Sequence, residues 1–244
     1  MKALILSAGQ GSRLLPLTAE RPKCLLPVGP KTLLEWQVEI LARGGVDDIA
    51  VVVGFRAAQV VDLLARLVRP GLAIRTVFNP FYSVADNIGS CWLARHEMNG
   101  DFVIANGDTL FEGAVLRRLL EAASAPIVVT VDRKASYDAD DMKVRVDGTR
   151  LLEIGKMLPA AATNAESIGL LAFRGDGPRL FAEAIDRAMH TADGLKSFYL
   201  KVIGQLAKAH RVETVSIEGL AWGEVDYPAD LRRVERLVAE RRLA

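Results

Sequence analysis

With 244 residues, half of them hydrophobic, the chain can bury a substantial core and fits one large α/β domain better than two independent ones. Lys and Arg number 31 against 30 Asp and Glu, with no long block of like charge, which excludes a basic field for gripping a nucleic-acid backbone. Two cysteines, Cys24 and Cys91, are too few for a disulfide framework, and no stretch reaches the roughly 18 apolar residues of a membrane span. The expectation is a cytoplasmic protein with no membrane insertion.

The predicted elements alternate along the chain. Residues 3–6 read as a first buried strand, too short an apolar run for a signal peptide, and it breaks at once into Ser7-Ala8-Gly9-Gln10-Gly11. Residues 49–53, 73–77, 102–105 and 127–131 are further apolar runs bounded by turn residues. Between them, 33–41, 57–68, 88–96 and 114–123 carry apolar residues three and four apart. This alternation predicts a Rossmann-like, doubly wound mixed sheet with helices on both faces over residues 1–132. After Asp132 the segments 142–146, 151–154 and 167–173 read as strands of a small antiparallel extension, with Asp147-Gly148 as a hairpin turn. Helices at 178–189 and 195–208, a strand at 212–217, the segment 221–227 and an amphipathic helix over 231–244 complete the chain.

The loop after the first strand places small residues where a backbone must turn sharply and approach a ligand, so its amides are candidates to cradle phosphates. The dinucleotide fingerprint fails, because Leu14 stands at the third glycine position, and there is no G-x-x-x-x-G-K-[ST]. The longer run from this loop onward is more specific: Gly9-x-Gly11-x-Arg13-Leu14, then Pro16-Leu17-Thr18, then Pro22-Lys23-Cys24-Leu25-Leu26-Pro27-Val28. This run closely resembles the signature of the sugar nucleotidyltransferase superfamily. The resemblance implies a single nucleotidyltransferase domain with a nucleotide-binding core at 1–132, an acceptor-binding part at 133–220, and a metal-ligand strand and closing helix at 221–244. It also implies that the loop wraps a triphosphate while Arg13 and Lys23 neutralise it. Fixed cations there would offset charge developing on an attacked α-phosphate and its leaving pyrophosphate.

Residues 101–108 form an apolar strand that delivers Gly107 and Asp108 at its carboxyl end, where open α/β sheets bind ligands. Asp108 is the first candidate ligand for Mg²⁺, which takes one or two carboxylates and completes its shell with water and phosphate oxygens. Asp226, in Trp222-Gly223-Glu224-Val225-Asp226-Tyr227-Pro228, is the second, and both match acids of the superfamily's pattern; Glu224 is a supporting candidate. Asp108 and Asp226 also have an ordinary alternative, as helix caps.

After the third strand, Asp86, Asn87 and Ser90 offer donors and acceptors to a base, or a cap to the next helix. The stretch 87–95, Asn-Ile-x-Ser-x-x-Leu-Ala-Arg, resembles the branch of phosphocholine, 2-aminoethylphosphonate and inositol-1-phosphate cytidylyltransferases. The resemblance implies CTP as the nucleotide, held by Leu6, Ala8, Gly9, Gly11, Ser12, Arg13, Lys23, Asp86, Asn87, Ser90 and Gly107. The acceptor, a small phosphorylated metabolite, is then expected in the second half, against Lys143, Lys156, Glu166 and Trp222. Lys143 and Lys156 as outward-facing strand charges, and 138–141 as a solvated loop, are the plain alternative. A sugar-1-phosphate nucleotidyltransferase using UTP, GTP or dTTP and a nucleotide-binding regulator without turnover are the rival functions; a homodimer is left open.

Overall fold

The computed structural model describes residues 1–122, 125–240 and 242–243. Strand β1 (Lys2–Ser7) leads into one-turn 3-10 segments at Ser12–Leu14 and Lys23–Leu25, the short hairpin of β2 (Pro27–Val28) and β3 (Lys31–Thr32), and helix α1 (Leu33–Arg43). Helix α1 starts where it does because Thr32 and Glu35 form a reciprocal capping box: the Glu35 amide donates to Thr32 Oγ1 at 3.2 Å and the Thr32 amide to Glu35 Oε2 at 2.7 Å. Such a cap is worth about 1 kcal/mol.

Strand β4 (Asp48–Val53), α2 (Ala57–Leu67), β5 (Ala73–Phe78), α3 (Asn87–Leu93), β6 (Phe102–Asn106), β7 (Thr109–Phe111), α4 (Gly113–Glu121) and β8 (Ile127–Asp132) complete the first half. Then come β9 (Lys143–Asp147), β10 (Arg150–Ile154), β11 (Ala165–Phe173), α5 (Gly177–Met189), α6 (Tyr199–Ala209), β12 (Val212–Ser216), β13 (Trp222–Glu224) and α7 (Pro228–Ala239). The expected helix at 114–123 is described as far as α4 reaches, and Ala123 lies outside the described residues, as do Arg241 and Ala244 of the expected closing helix.

Nine strands form one sheet in the order β5-β4-β1-β6-β11-β8-β12-β10-β9. Strands β5, β4, β1 and β6 run parallel; β4, β1 and β6 are covered on both faces, while β5 forms the more exposed edge. Alternate residues feed two cores: Ala3, Ile5, Ile49, Val51, Val103 and Ala105 join α1, α2, α4 and α7 on one face. Leu4, Ala50, Val52, Phe102 and Ile104 join α3, α5 and α6 on the other. The sheet is therefore doubly wound, with a difference from expectation in its second half. The expected antiparallel extension is present as β10 and β9 at the end of the sheet, but its third strand, β11, inserts between β6 and β8 and also pairs with β9, curling that end back on itself.

Two helices also differ from the periodicity. The pattern over 195–208 breaks into a 3-10 turn at Gly194–Lys196 and α6, with Phe198 extended between them, because the Asn87 side chain accepts the Tyr199 amide at 2.9 Å and so starts a new helix. Helix α3 stops at Leu93 and continues only as a 3-10 turn, Arg95–Glu97.

Candidate active site

The strand ends β1, β6 and β11 converge on one turn, residues 106–109. Gln37, fully buried on α1, donates through Nε2 to the carbonyls of Asn106 and Thr109, both at 2.7 Å. From the other face the Tyr199 hydroxyl donates to Asn106 Oδ1 at 3.1 Å, at the end of a ring stack running Phe102, Phe173, Phe181, Tyr199. Gly107 donates its amide to the Leu6 carbonyl at 3.0 Å, and a Cβ on it would collide with Ser7 Oγ and that carbonyl. Both cores thus hold Asp108 in place.

The partner of this turn comes from the far end of the chain. Strand β13 pairs antiparallel with β7, Glu224 opposite Thr109, and the Val225 amide donates to the Asp108 carbonyl at 3.1 Å. That register brings Asp108, Glu224 and Asp226 together, with one carboxylate oxygen of each lying within 4.8 Å of the others. Asp108 does not cap α4, whose cap residue is Glu112, and Asp226 does not cap α7, which begins from Tyr227 with Asp230 reaching back to the Tyr227 amide at 2.8 Å.

Lys23 reaches this cluster from the first loop, donating to Asp108 Oδ2 at 2.8 Å and to Asp226 Oδ1 at 2.6 Å. Its stem lies across Gly11, which sits at φ 77° in the left-handed region, where a Cβ would press on the Lys23 side chain. Thr18 closes the loop by donating from Oγ1 to the Gly11 carbonyl at 2.8 Å. Burial alone would lower the Lys23 pKa, yet the charges and hydrogen bonds of Asp108 and Asp226 outweigh it and hold the ammonium above the ordinary lysine value. The same pairing, against burial, holds Asp226 below the usual carboxylate range. Glu224 has no such hydrogen-bonded cation among the described residues: burial, then the charges of Asp108 and Asp226, push it up to about 8 against the weaker pull of Lys23 and Lys156.

A divalent cation fits this cluster. Three carboxylates meet one ammonium, the donors are all oxygen, and Asp108 Oδ1 is buried without a hydrogen-bond partner. Hard cations take such oxygen sets.

Two cavities flank it. The first, about 300 Å³, is lined by Leu6, Ala8, Gly9, Gly11, Lys23, Asp86, Asn87, Ser90, Gly107 and Asp108, together with Ser7, Asn79, Tyr82 and Asn106. Asn79, buried, donates to Ser90 Oγ at 3.0 Å and accepts from the Phe81 amide at 2.8 Å, which fixes the wall around Ser90. Asp86 precedes α3 without capping it through its side chain, and burial raises its pKa. Ser12 and Arg13 lie in the turn beyond this cavity, and Arg13 reaches 3.3 Å from Asp226 Oδ2 and 3.4 Å from Asp140 Oδ1.

The second cavity, about 380 Å³, shares Glu224 and Asp226 with the cluster. Its lining carries eight carboxylates, Asp132, Asp138, Asp140, Asp141, Glu166, Glu224, Asp226 and Asp230, against two cations, Lys134 and Arg233, with Trp222 and Tyr227 as aromatic walls. Trp222 donates its indole N–H to Asp132 Oδ2 at 2.7 Å. Glu166 pairs with Lys134 at 2.9 Å, and burial pushes its carboxyl up to about 7. Of the four expected acceptor contacts, Glu166 and Trp222 line this cavity. Lys143 is buried and donates its ammonium to the Lys156 carbonyl at 2.8 Å, so it clamps the loop after β10 instead. Lys156 stacks its ammonium 5.2 Å from the Phe198 ring, close enough to Asp86, Glu224 and Asp226 to act on all three electrostatically. Nothing in the sequence singles out Lys134, Asp132 or Tyr227 for this wall. The aspartates at 138–141 read there only as a charged loop, and no local signal marks which of them face the site.

A doubly wound sheet with a glycine loop, a bridging lysine and a carboxylate cluster defines a nucleotidyltransferase. The chain belongs to the MobA-like NTP transferase domain family, whose model matches residues 3–138. It is similar to the CMP-5'-(3-aminopropyl)phosphonate synthase of Streptomyces rubellomurinus, 32% identical over 245 residues, which cover 96% of this chain but 38% of that protein. It is 29% identical over 248 residues to the choline-phosphate cytidylyltransferase of Streptococcus pneumoniae, with 98% of each chain covered. The solved structure of the inositol-1-phosphate CTP transferase from T. maritima shares the fold, with a TM-score of 0.81 at 22% identity, covering 98% of this chain and 95% of that one.

Proposed function

We propose that this enzyme transfers CMP from CTP to a small phosphorylated amine or alcohol and releases pyrophosphate, in the cytoplasm. The observation that carries this reading is the position of Lys23, Asp108, Glu224 and Asp226 on the wall between a glycine-loop cavity and an acidic one. The relatives' cytidylyl chemistry supports CTP, and the second cavity's excess of carboxylates favours an acceptor that carries an ammonium, such as an aminoalkylphosphonate, phosphoethanolamine or phosphocholine. Trp222 and Tyr227 suit a substituted ammonium.

In this reading the base enters beside Asn79, Asp86, Asn87 and Ser90, and the triphosphate runs along the loop at 8–13. An acceptor phosphate oxygen attacks the α-phosphorus, forming one P–O bond as the bond to pyrophosphate breaks. A phosphate dianion is already nucleophilic near neutral pH, so no general base is required and the residues act by position and charge. Lys23 faces the α-phosphate, Arg13 the leaving pyrophosphate. Asp108, Glu224 and Asp226 would hold Mg²⁺, which when bound supplies Lewis-acid stabilisation of phosphate oxygens.

The experiment is pyrophosphate release with Mg²⁺, five nucleoside triphosphates and a panel of phosphorylated amines, inositol-1-phosphate and sugar-1-phosphates. Turnover with CTP and a phosphorylated amine, absent in Lys23→Ala, is expected; turnover only with a sugar-1-phosphate and another nucleotide would overturn the reading.

The acidic cavity also sets a pH dependence. With its carboxyl near 7, Glu166 is protonated below that pH and loses the charge that attracts an ammonium, so kcat/KM for the acceptor falls as pH drops through about 7. In Glu166→Gln assayed with saturating Mg²⁺, which would keep Glu224 ionised, the break near pH 7 is lost and that of the acceptor's own phosphate, at about pH 6, remains. A wild-type profile identical to that of the variant would remove Glu166 from acceptor binding.

A further inference from the structure

Arg13 follows directly on the glycine loop that lines the first cavity, and its present partners, Asp140 and Asp226, line the second. One guanidinium nitrogen lies 3.4 Å from Asp140 Oδ1 and another 3.3 Å from Asp226 Oδ2, while the guanidinium carbon sits 5.6 Å from the centre of the Tyr227 ring. Asp140 is further held by the Tyr227 hydroxyl, which donates to its Oδ2 at 3.0 Å. The loop carrying Asp140 is anchored independently of Arg13. Asp138 Oδ1 accepts the Asp140 amide at 2.8 Å, and Lys134 binds Asp141 at 2.7 Å. Moving Arg13 away therefore leaves Asp140 in place and alters only its charge balance.

The Arg13–Asp140 pair is weak. Both side chains are close to half exposed, 44% and 45%, and an exposed pair of this kind is worth about 1 kcal/mol or less. A triphosphate on the neighbouring loop is a far stronger partner, since Arg makes charge-assisted, often bidentate contacts to phosphate. The two anions, Asp140 and the nucleotide, compete for one cation.

We propose that Arg13 couples the two cavities: it masks Asp140 in the nucleotide-free enzyme and, on moving to the triphosphate, uncovers that carboxylate for the ammonium of the acceptor. The inference rests on the cytidylyltransferase reading above and adds an order to it. Nucleotide binding raises the negative potential of the acceptor cavity by one charge, so the amine binds better second than first. By linkage the amine strengthens nucleotide binding by the same factor, and an exposed pair of this geometry sets that factor at about fivefold. An acceptor without an ammonium gains nothing from the exchange.

The test is calorimetric titration of the intact enzyme, with Mg²⁺, using phosphoethanolamine and phosphocholine with and without saturating α,β-methylene-CTP, and inositol-1-phosphate as the comparison that lacks an ammonium. The wild type is expected to bind at least one amine about fivefold more tightly with the nucleotide analogue present. Asp140→Asn, whose exposed side chain leaves the melting temperature unchanged, binds the analogue up to about fivefold more tightly, because Arg13 no longer has to leave a carboxylate, and loses the tightening of the amine. Equal amine affinity in the two wild-type states, undiminished coupling in Asp140→Asn, or the same tightening for inositol-1-phosphate would overturn the coupling while leaving the cytidylyltransferase reading intact. Failure of the analogue itself to bind, or of both amines and inositol-1-phosphate to bind in either state, would instead bring down that reading and this inference with it, whereas binding of inositol-1-phosphate alone would overturn only the coupling.

Discussion

Replacing Lys23 with alanine lowers kcat by about 10²–10³-fold, the loss found when one preorganised donor to transition-state charge is removed. The ammonium sits 2.8 Å from Asp108 and 2.6 Å from Asp226, enclosed by the loop and the turn, and its raised pKa keeps it charged at any working pH. It is thus a fixed cation on the wall of the first cavity, bonded to Asp226 of the second. Truncation also leaves Asp108 and Asp226 without their counter-charge, so Mg²⁺ should bind Lys23→Ala at least as well as the wild type. Measured together, a fall in kcat with metal affinity retained identifies a charge acting on the reacting phosphate. A kcat within about fivefold of wild type would reduce Lys23 to a strut between two aspartates. Lys23→Arg is not expected to rescue, because the planar fork does not reproduce one nitrogen between two carboxylates.

The second large effect is at Asp108. Asp108→Asn removes one charge and little volume, and its backbone carbonyl still accepts from Val225. Loss of a metal ligand removes several kcal/mol of charge stabilisation, and about 4 kcal/mol corresponds to about 10³ in rate. Chelation of the wild type should abolish turnover reversibly, and Mg²⁺ should raise the wild-type melting temperature but not that of the variant. A variant that retains both turnover and the Mg²⁺-dependent thermal shift would show that the cation, if it binds, does so elsewhere. The unpartnered, buried Oδ1 of Asp108 and the elevated carboxyl of Glu224 would both be relieved by a divalent ion held there, which is the physical basis of this expectation.

The parallel strands are legible in the sequence because burial on both faces leaves a continuous apolar run: β1, β4 and β6 each lie within one or two residues of the expected bounds. Strand β7 is not, since three residues cannot show a period, and β2 and β3 are shorter still. The break before α6 is invisible for the opposite reason: apolar spacing continues through it, and only a side chain from α3, Asn87, decides where the new helix begins. In the site, Gly9, Gly11, Arg13 and Lys23 are readable as one local run. Lys143 and Lys156 look equivalent in the sequence, yet one is buried on a carbonyl and the other lies over an aromatic ring near the acids.

The sequence by itself determined the class of fold, through the alternation of two apolar periods, and the make-up of the glycine loop with its Arg13 and Lys23, through residue types at fixed short spacing. Only the tertiary structure decided which acids meet. Asp226 and Lys23 stand 203 residues apart, and their contact depends on β13 finding β7 in one register, which a shift of a single residue would destroy by turning Glu224 to the other face. The partition of the acids into the Asp108, Glu224 and Asp226 cluster and the wall of the second cavity was likewise set by the curl of β9 against β11 and the return of the chain after β12. Local sequence carries the short-range torsional and apolar preferences of the backbone, whereas charge constellations form between elements whose proximity is settled by how two cores pack on opposite faces of one sheet.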